Sequence, residues 1–271
     1  MKELIDKVID FKRRISAKAP LVHNITNYVV MNLTANVTLA LGASPVMAHA
    51  EEEVEEMTGL ASALVINIGT LSQHWIKAMY LACEVARRRN IPVVFDPVGA
   101  GATKLRTDVS RYILDYHSPT VLRGNSSEIL AIVKEGSSTK GVDSIHTLTD
   151  VKTEAVDLAK KKEIIIAITG PEDFISDGQT SVLVKNGHPL LAKITGSGCS
   201  STSVIGTFLA VARDKSEYLW ATAAGLAYYG LAAEYAAREH NAPGSFGFSL
   251  IDWLFSLDEQ QIGEGIRIEK A

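Results

Sequence analysis

Short apolar runs alternate with amphipathic stretches along most of this chain. Leu21-Val22-His23, Ala63 to Ile68, Ile91 to Asp96, Thr120 to Arg123 and Glu163 to Ile168 are rich in β-branched residues and show no polar alternation. That is the pattern of strands buried on both faces of a parallel sheet. Between them the spacing becomes helical, as where Ile76, Met79, Tyr80 and Cys83 share one face. The sequence of runs predicts a doubly wound α/β sheet covered by helices on each side. The segment Phe174 to Val184 breaks the rhythm, because Asp177-Gly178 between two strand-like runs is a hairpin signal and Asn186-Gly187 supplies a second turn. An antiparallel edge hairpin is expected there.

Met1 to Phe11 places apolar residues at helical spacing with charges between them and lacks a signal-peptide core. The uncharged stretch Tyr218 to Ala233 is short and interrupted by Gly225 and Gly230, so it reads as a tightly packed internal helix rather than a membrane span. No linker or repeat divides the chain, and residues 1–271 are expected to form one domain. Composition narrows the partners. With 46% hydrophobic residues, 21% charged residues and a net charge of −4, the chain lacks the clustered cations of a nucleic-acid grip, and small ligands are the expected partners. The runs Glu51 to Glu56 and Arg87 to Arg89 complement the dipoles of a helix start and a helix end. Two cysteines, Cys83 and Cys199, allow at most one bridge, which fits a reducing, cytoplasmic setting.

The most specific local feature is Ile194-Thr195-Gly196-Ser197-Gly198-Cys199-Ser200 running into the apolar stretch Val204 to Ala210. Small residues at the start of a buried helix leave backbone N–H groups accessible with the positive end of the dipole behind them, a natural anion seat; a tight connection is the other reading. In open α/β sheets ligands gather beyond the carboxyl ends of strands. The residues there are Asp96-Pro97-Val98-Gly99-Ala100-Gly101, Arg123-Gly124-Asn125-Ser126-Ser127-Glu128 and Thr169-Gly170-Pro171. Asp96 serves either as a turn cap or as a ligand. Glu128 either completes a capping box with Asn125 or Ser126, or binds a cation. Two carboxylates beside an anion seat suit Mg²⁺ held through water and nucleotide phosphates. Neither a Walker-type loop nor a dinucleotide fingerprint is present, and the histidines and cysteines show no zinc spacing.

The ordered set Pro20 to Val30, Gly42 to Met47, Asp96 to Gly101, Arg123 to Glu128 and Gly196 to Cys199 resembles the hydroxyethylthiazole kinases, a thiamin-pathway family of the ribokinase-like superfamily. The resemblance covers nearly the whole chain. It implies a three-layer αβα fold with a mostly parallel sheet, and phosphorylation of 4-methyl-5-(2-hydroxyethyl)thiazole by ATP with Mg²⁺. It also implies a homotrimer with sites at subunit boundaries. It places acceptor binding on Met47 and Gly196 with Asn27 and Gly69 as neighbours, nucleotide binding on Arg123 and Thr169, and the superfamily's Asn-x-x-Glu metal motif on Asn125 and Glu128, to which strand-end Asp96 is joined.

Physical roles follow for these positions. Arg123 suits phosphate oxygens or a nearby carboxylate. Met47 suits a flat sulfur heterocycle or ordinary packing. Gly196, Ser197, Gly198 and Cys199 are expected to cradle the phosphoryl group in flight. Cys199 stands where many ribokinase-like enzymes carry an aspartate base. A helix amino terminus favours thiolate, so partial ionisation of Cys199 is expected, with a positioning or late proton-accepting role. Other readings are another ribokinase-like kinase such as a hydroxymethylpyrimidine kinase, a nucleotide-dependent dehydratase of hydrated NAD(P)H, a thiol hydrolase pairing Cys199 with His23 or His188, and a nucleotide sensor without catalysis.

Overall fold

A computed structural model describes residues 2–133 and 148–271. The amphipathic amino terminus forms α1 (Lys2–Lys18), with Met1 outside the described residues, and leads into β1 (Leu21–Ile25), α2 (Met31–Ala40), β2 (Ser44–Val46), α3 (Val54–Leu60) and β3 (Ala63–Asn67). There follow α4 (Gln73–Arg89), β4 (Val93–Asp96), α5 (Lys104–Tyr112), a π-turn at Ile113–His117, β5 (Val121–Asn125) and α6 (Ser126–Val133). After the undescribed segment come α7 (Leu148–Lys162), β6 (Ile165–Thr169), β7 (Asp173–Ser176), β8 (Ser181–Val184), α8 (Ser197–Leu209), α9 (Tyr218–Glu239), α10 (Pro243–Ser256), α11 (Glu259–Gly265) and β9 (Ile268–Lys270).

The strands form one sheet in the order β2-β1-β3-β4-β5-β6-β7-β8-β9. Pairing is parallel from β2 through β6 and antiparallel from β6 to β9. The Asp177-Gly178 hairpin forms as expected, with Asp177 Oδ1 accepting from Gln179 N and Thr180 N and Gly178 at φ +86°. It is not the sheet edge, however. The carboxyl-terminal β9 pairs outside β8, and β2 closes the other side. Both are three-residue strands, too short for a reading based on apolar runs to register.

Alternate strand residues divide the core. Val22, Val65, Val94 and Val121 face α1, α2, α8, α9, α10 and α11, whereas Leu64, Ile66, Phe95 and Leu122 face α3 to α7. Helix α8 lies on β3 and β4 at the middle of the sheet. Gly206 permits this approach: a Cβ there would fall 2.5 Å from Val65 Cγ2. Helix α9, the uncharged stretch of the sequence, is buried over most of its length, and no described helix is long and apolar enough to cross a membrane. The strand order reverses between β1 and β3, which makes the crevice beyond their carboxyl ends the natural ligand position.

Candidate functional site

The amino end of α8 opens into that crevice. Gly196 is its cap, at φ +84°, and a Cβ there would lie 2.6 Å from Val30 Cγ1; both constraints call for glycine. Ser197, Gly198 and Cys199 are the first helical turn itself rather than a loop before it, and the first intrahelical bond in this region is Ser200 N to Gly196 O at 2.8 Å. The three preceding N–H groups have no intrahelical acceptor and present the positive end of a thirteen-residue helix. A Cβ on Gly198 would stand 2.9 Å from Arg123 Nη1, so the guanidinium rests directly against this turn.

Behind the turn lies Asp96, fully buried at the end of β4. It is no turn cap. Its Oδ2 accepts from Asn67 Nδ2 and Thr202 Oγ1, both at 2.8 Å, and faces Arg123 Nη1 at 3.5 Å. Burial pushes the Asp96 carboxyl upward, while Arg123 and the two donors pull it back. Its Oδ1 has no hydrogen-bond partner among the described residues. Arg123 Nη2 donates to Thr169 Oγ1 at 2.6 Å. Arg123 and Thr169 are thus brought together, and Arg123 realises the carboxylate-pairing reading while still reaching the crevice.

On the other side of the turn, Asn27 Nδ2 donates to Asn67 Oδ1 at 2.9 Å and faces Cys199 Sγ at 3.5 Å. Gly69 N donates to the same Asn67 oxygen at 3.0 Å, and a Cβ on Gly69 would fall 2.5 Å from Asn27 Nδ2. Asn27, Gly69 and Cys199 therefore converge through Asn67. The thiolate expectation fails here. Burial first, and then the Asp96 carboxylate, push the Cys199 thiol up to about 11, outweighing the amide and guanidinium contacts that lower it. The helix-terminus argument overlooked the burial of the thiol and the acid beneath the helix. Cys83, buried in α4, is pushed up to about 12 and is a packed core thiol.

No histidine among the described residues pairs with Cys199. Buried His23 has Nδ1 3.0 Å from Thr58 Oγ1 and Nε2 2.6 Å from the Ala48 carbonyl. Since a carbonyl only accepts, Nε2 carries a proton. His188 Nδ1 accepts from Leu190 N at 3.3 Å. These contacts remove the support for a thiol hydrolase. Met47 stands apart from the turn, following β2 on the far side of β1, and its segment is tethered to the sheet by the His23 bond to Ala48.

Glu128 realises the capping-box reading. Its Oε2 accepts from Asn125 N at 2.9 Å, its N–H donates to Asn125 Oδ1 at 3.0 Å, and its Oε1 accepts from Gly99 N at 2.8 Å. The carboxylate is half-buried and braces the β4 and β5 strand ends against each other. Among the described residues no three His, Cys, Asp or Glu side chains gather as a ready metal site. The oxygen chemistry that Mg²⁺ requires is nonetheless present in the unpartnered Asp96 Oδ1 and in Glu128.

A cavity of about 560 Å³ opens beside the turn, lined among others by Arg123, Thr169, Ser197, Gly198, His188 and Leu191. Asp173 also lines it. Its Oδ1 accepts from Gly170 N at 3.0 Å, and burial pushes its carboxyl up to about 6. Asn67, Thr202, Asp173 and the α9 residue Tyr229 were not singled out from the sequence. Asn67 ends an apolar run and was legible by the strand-end rule; Thr202, four residues after Gly198, was legible from helical spacing.

The chain matches the family model of the hydroxyethylthiazole kinases over residues 13–260. It is 51% identical to the hydroxyethylthiazole kinase of Desulfosudis oleivorans, over 99% of this chain and 98% of that one. The solved structure of the hydroxyethylthiazole kinase protein from Pyrococcus horikoshii aligns at a TM-score of 0.89 and 45% identity, with both chains covered completely. A ribokinase-like superfamily protein from Enterococcus faecalis aligns at a TM-score of 0.63 and 14% identity, over 92% of this chain and 93% of that one, which bears on the fold alone.

Proposed function

The chain belongs to the hydroxyethylthiazole kinase family, and from that premise we propose that it transfers the γ-phosphoryl group of ATP to the side-chain hydroxyl of 4-methyl-5-(2-hydroxyethyl)thiazole within thiamin biosynthesis. The observation that carries the chemistry is the free amino end of α8, held between Arg123 and Cys199 with a cavity on the Arg123 side. The nucleotide occupies that cavity, its phosphates toward Arg123, Thr169 and the Ser197 to Cys199 amides. The acceptor lies on the Asn27, Gly69 and Cys199 side, with Gly196 and Met47 completing its pocket.

In the reaction the acceptor oxygen bonds to the γ-phosphorus, the bond to the ADP oxygen breaks, and the hydroxyl proton leaves late, as a loose transition state allows. The α8 amides and Arg123 stabilise the charge on the moving group. Cys199, protonated at neutral pH, orients the acceptor hydroxyl with Asn27 rather than removing its proton. Mg²⁺, when bound, would screen the phosphate charges; Glu128 and Asn125 would hold it from the β5 end and Asp96 from the β4 end. The exposed Tyr28 and Val29, 60% and 66% accessible and adjoining Asn27, suit a subunit boundary at the acceptor pocket, and a homotrimer is the assembly that the family resemblance implies. Residues 1–271 act as one catalytic domain in the cytoplasm.

The test is purified protein with ATP, Mg²⁺ and a panel of hydroxyethylthiazole, hydroxymethylpyrimidine, pyridoxal and ribose, with ADP and phosphorylated product followed by mass. Selective formation of thiazole phosphate is expected. ADP release without a phosphorylated acceptor would replace this reading with hydrolysis or the dehydratase branch.

A further inference from the structure

Beneath the first turn of α8, three side chains carry polar atoms that are buried and unpartnered among the described residues: Tyr229 OH, Ser200 Oγ and Arg123 Nε. Tyr229 is 4% exposed, Ser200 fully buried and Arg123 9% exposed. They come from α9, α8 and β5, so no local turn or cap accounts for them. The Tyr229 and Ser200 hydroxyls neighbour each other without closing a hydrogen bond, and Tyr229 also lies within the electrostatic reach of Arg123 and Cys199. Both Tyr229 and Arg123 line the cavity, as do Ser197 and Gly198 of the α8 first turn. Leaving one such group unsatisfied costs about 1–3 kcal/mol, so three together under one helix terminus, two of them on residues that line the cavity, describe a place built for something else.

The chemistry of that something follows from the inventory. Guanidinium Nε only donates; a hydroxyl donates wherever an acceptor is offered. Burial pushes the Tyr229 phenol upward, so it keeps its proton throughout the neutral range. The free N–H groups of α8 add to the donor excess. We propose that Tyr229 and Ser200, with Arg123, form a donor seat for a phosphate oxygen of the bound nucleotide, at the end of the cavity nearest the transferring group. The two carboxylates in the neighbourhood do not oppose this. Asp96 is countered by Arg123, Asn67 and Thr202, and Asp173, ionised at neutral pH, has its Oδ1 engaged by Gly170 N and lies within the field of Arg123. The seat deepens the kinase reading and rests on it for the identity of the phosphate carrier.

Tyr229→Phe tests it, because it keeps the ring and removes only the hydroxyl. Two readouts are taken: thermal unfolding without ligand, and equilibrium binding of Mg-ADP, pyrophosphate and adenosine. Removing an unsatisfied hydroxyl should raise the unfolding midpoint of the ligand-free protein by roughly 2–4 °C. Mg-ADP and pyrophosphate should bind on the order of tenfold more weakly, since a hydrogen bond to a charged acceptor is lost, while adenosine binding stays unchanged. Ser200→Ala should shift both readouts in the same direction by less. A lower midpoint in Tyr229→Phe with unchanged Mg-ADP affinity would overturn the proposal, because the hydroxyl would then serve the fold through a resident water. Equal weakening of ADP and adenosine would also overturn it. If wild-type protein binds pyrophosphate through Tyr229 but not ADP, the nucleotide reading fails while the seat stands.

Discussion

The two flanks of the α8 amino terminus differ in how complete they are. On the Arg123 flank a cavity of about 560 Å³ is walled by β5, β6, α8 and α9 of the same chain. On the Asn27 flank, buried amides hold Cys199 in place, but the adjoining Tyr28 and Val29 project into solvent. One helix terminus therefore serves a finished half-site and an open one. On the proposed reading, the finished half would discriminate phosphate carriers with one chain, and the open half would depend on what lies against it.

A change at the shared element should abolish the distinction. Gly196→Val imposes a branched side chain at φ +84° and against Val30, and is expected to lower turnover by on the order of 10²–10³-fold or more, as loss of aligned donors does. Steady-state kinetics with a circular dichroism check of folding would measure it; near wild-type turnover would break the shared-terminus account. Arg123→Met instead strikes the finished flank. It leaves Asp96 buried and unpaired, which costs about 3–5 kcal/mol, and raises the KM for ATP more than that for the acceptor. Adding Asp96→Asn should restore much of the urea-unfolding free energy without restoring activity.

The open flank should respond more mildly. Cys199→Ser is expected to lose about tenfold or less, below the 10²–10⁴-fold of an essential general base, and Cys199→Asp to remain active. The wild-type rate should show no thiol ionisation below about pH 10. Inactivity of both variants, with the fold intact, would reverse the assignment of Cys199 to positioning. At Asp173 the expected effect is on stability. Its folded-state value of about 6 lies above the ordinary carboxylate value of 3.8, so the folded protein binds the extra proton and loses stability as pH rises from about 4 to 6. Asp173→Asn should therefore gain up to about 3 kcal/mol at pH 8 and little at pH 4, with calorimetry at the two pH values as the measurement.

The sheet interior was legible in the sequence because its strands are apolar on both faces, and the hairpin because Asp-Gly permits few other conformations there. β2 and β9 escaped because three residues carry no periodic signal, and α2 because its mixture of Thr, Asn and apolar residues gives only a weak stripe. At the site, glycines and strand-end polar residues pointed to Gly196, Gly198, Arg123, Thr169 and Asp96. Connections between them did not show. Asn67, which joins Asn27 to Asp96, is meaningful only once β1, β3 and β4 lie side by side, and Tyr229 looked like one more aromatic in a packed helix. The thiolate expectation for Cys199 misjudged sign because local sequence displays the helix terminus but neither the burial of the thiol nor the acid beneath it.

Gly206 gives this arrangement a further consequence. It lies nine residues beyond Ser197, about 13 Å down the α8 axis at 1.5 Å per residue, and far from any ligand. Because its missing side chain lets the helix rest on Val65, even alanine there would lift α8 and carry its amino end away from Asp96 and Arg123. A buried backbone contact thus sets the position of the reactive turn, and a substitution at Gly206 is expected to yield folded protein with little turnover.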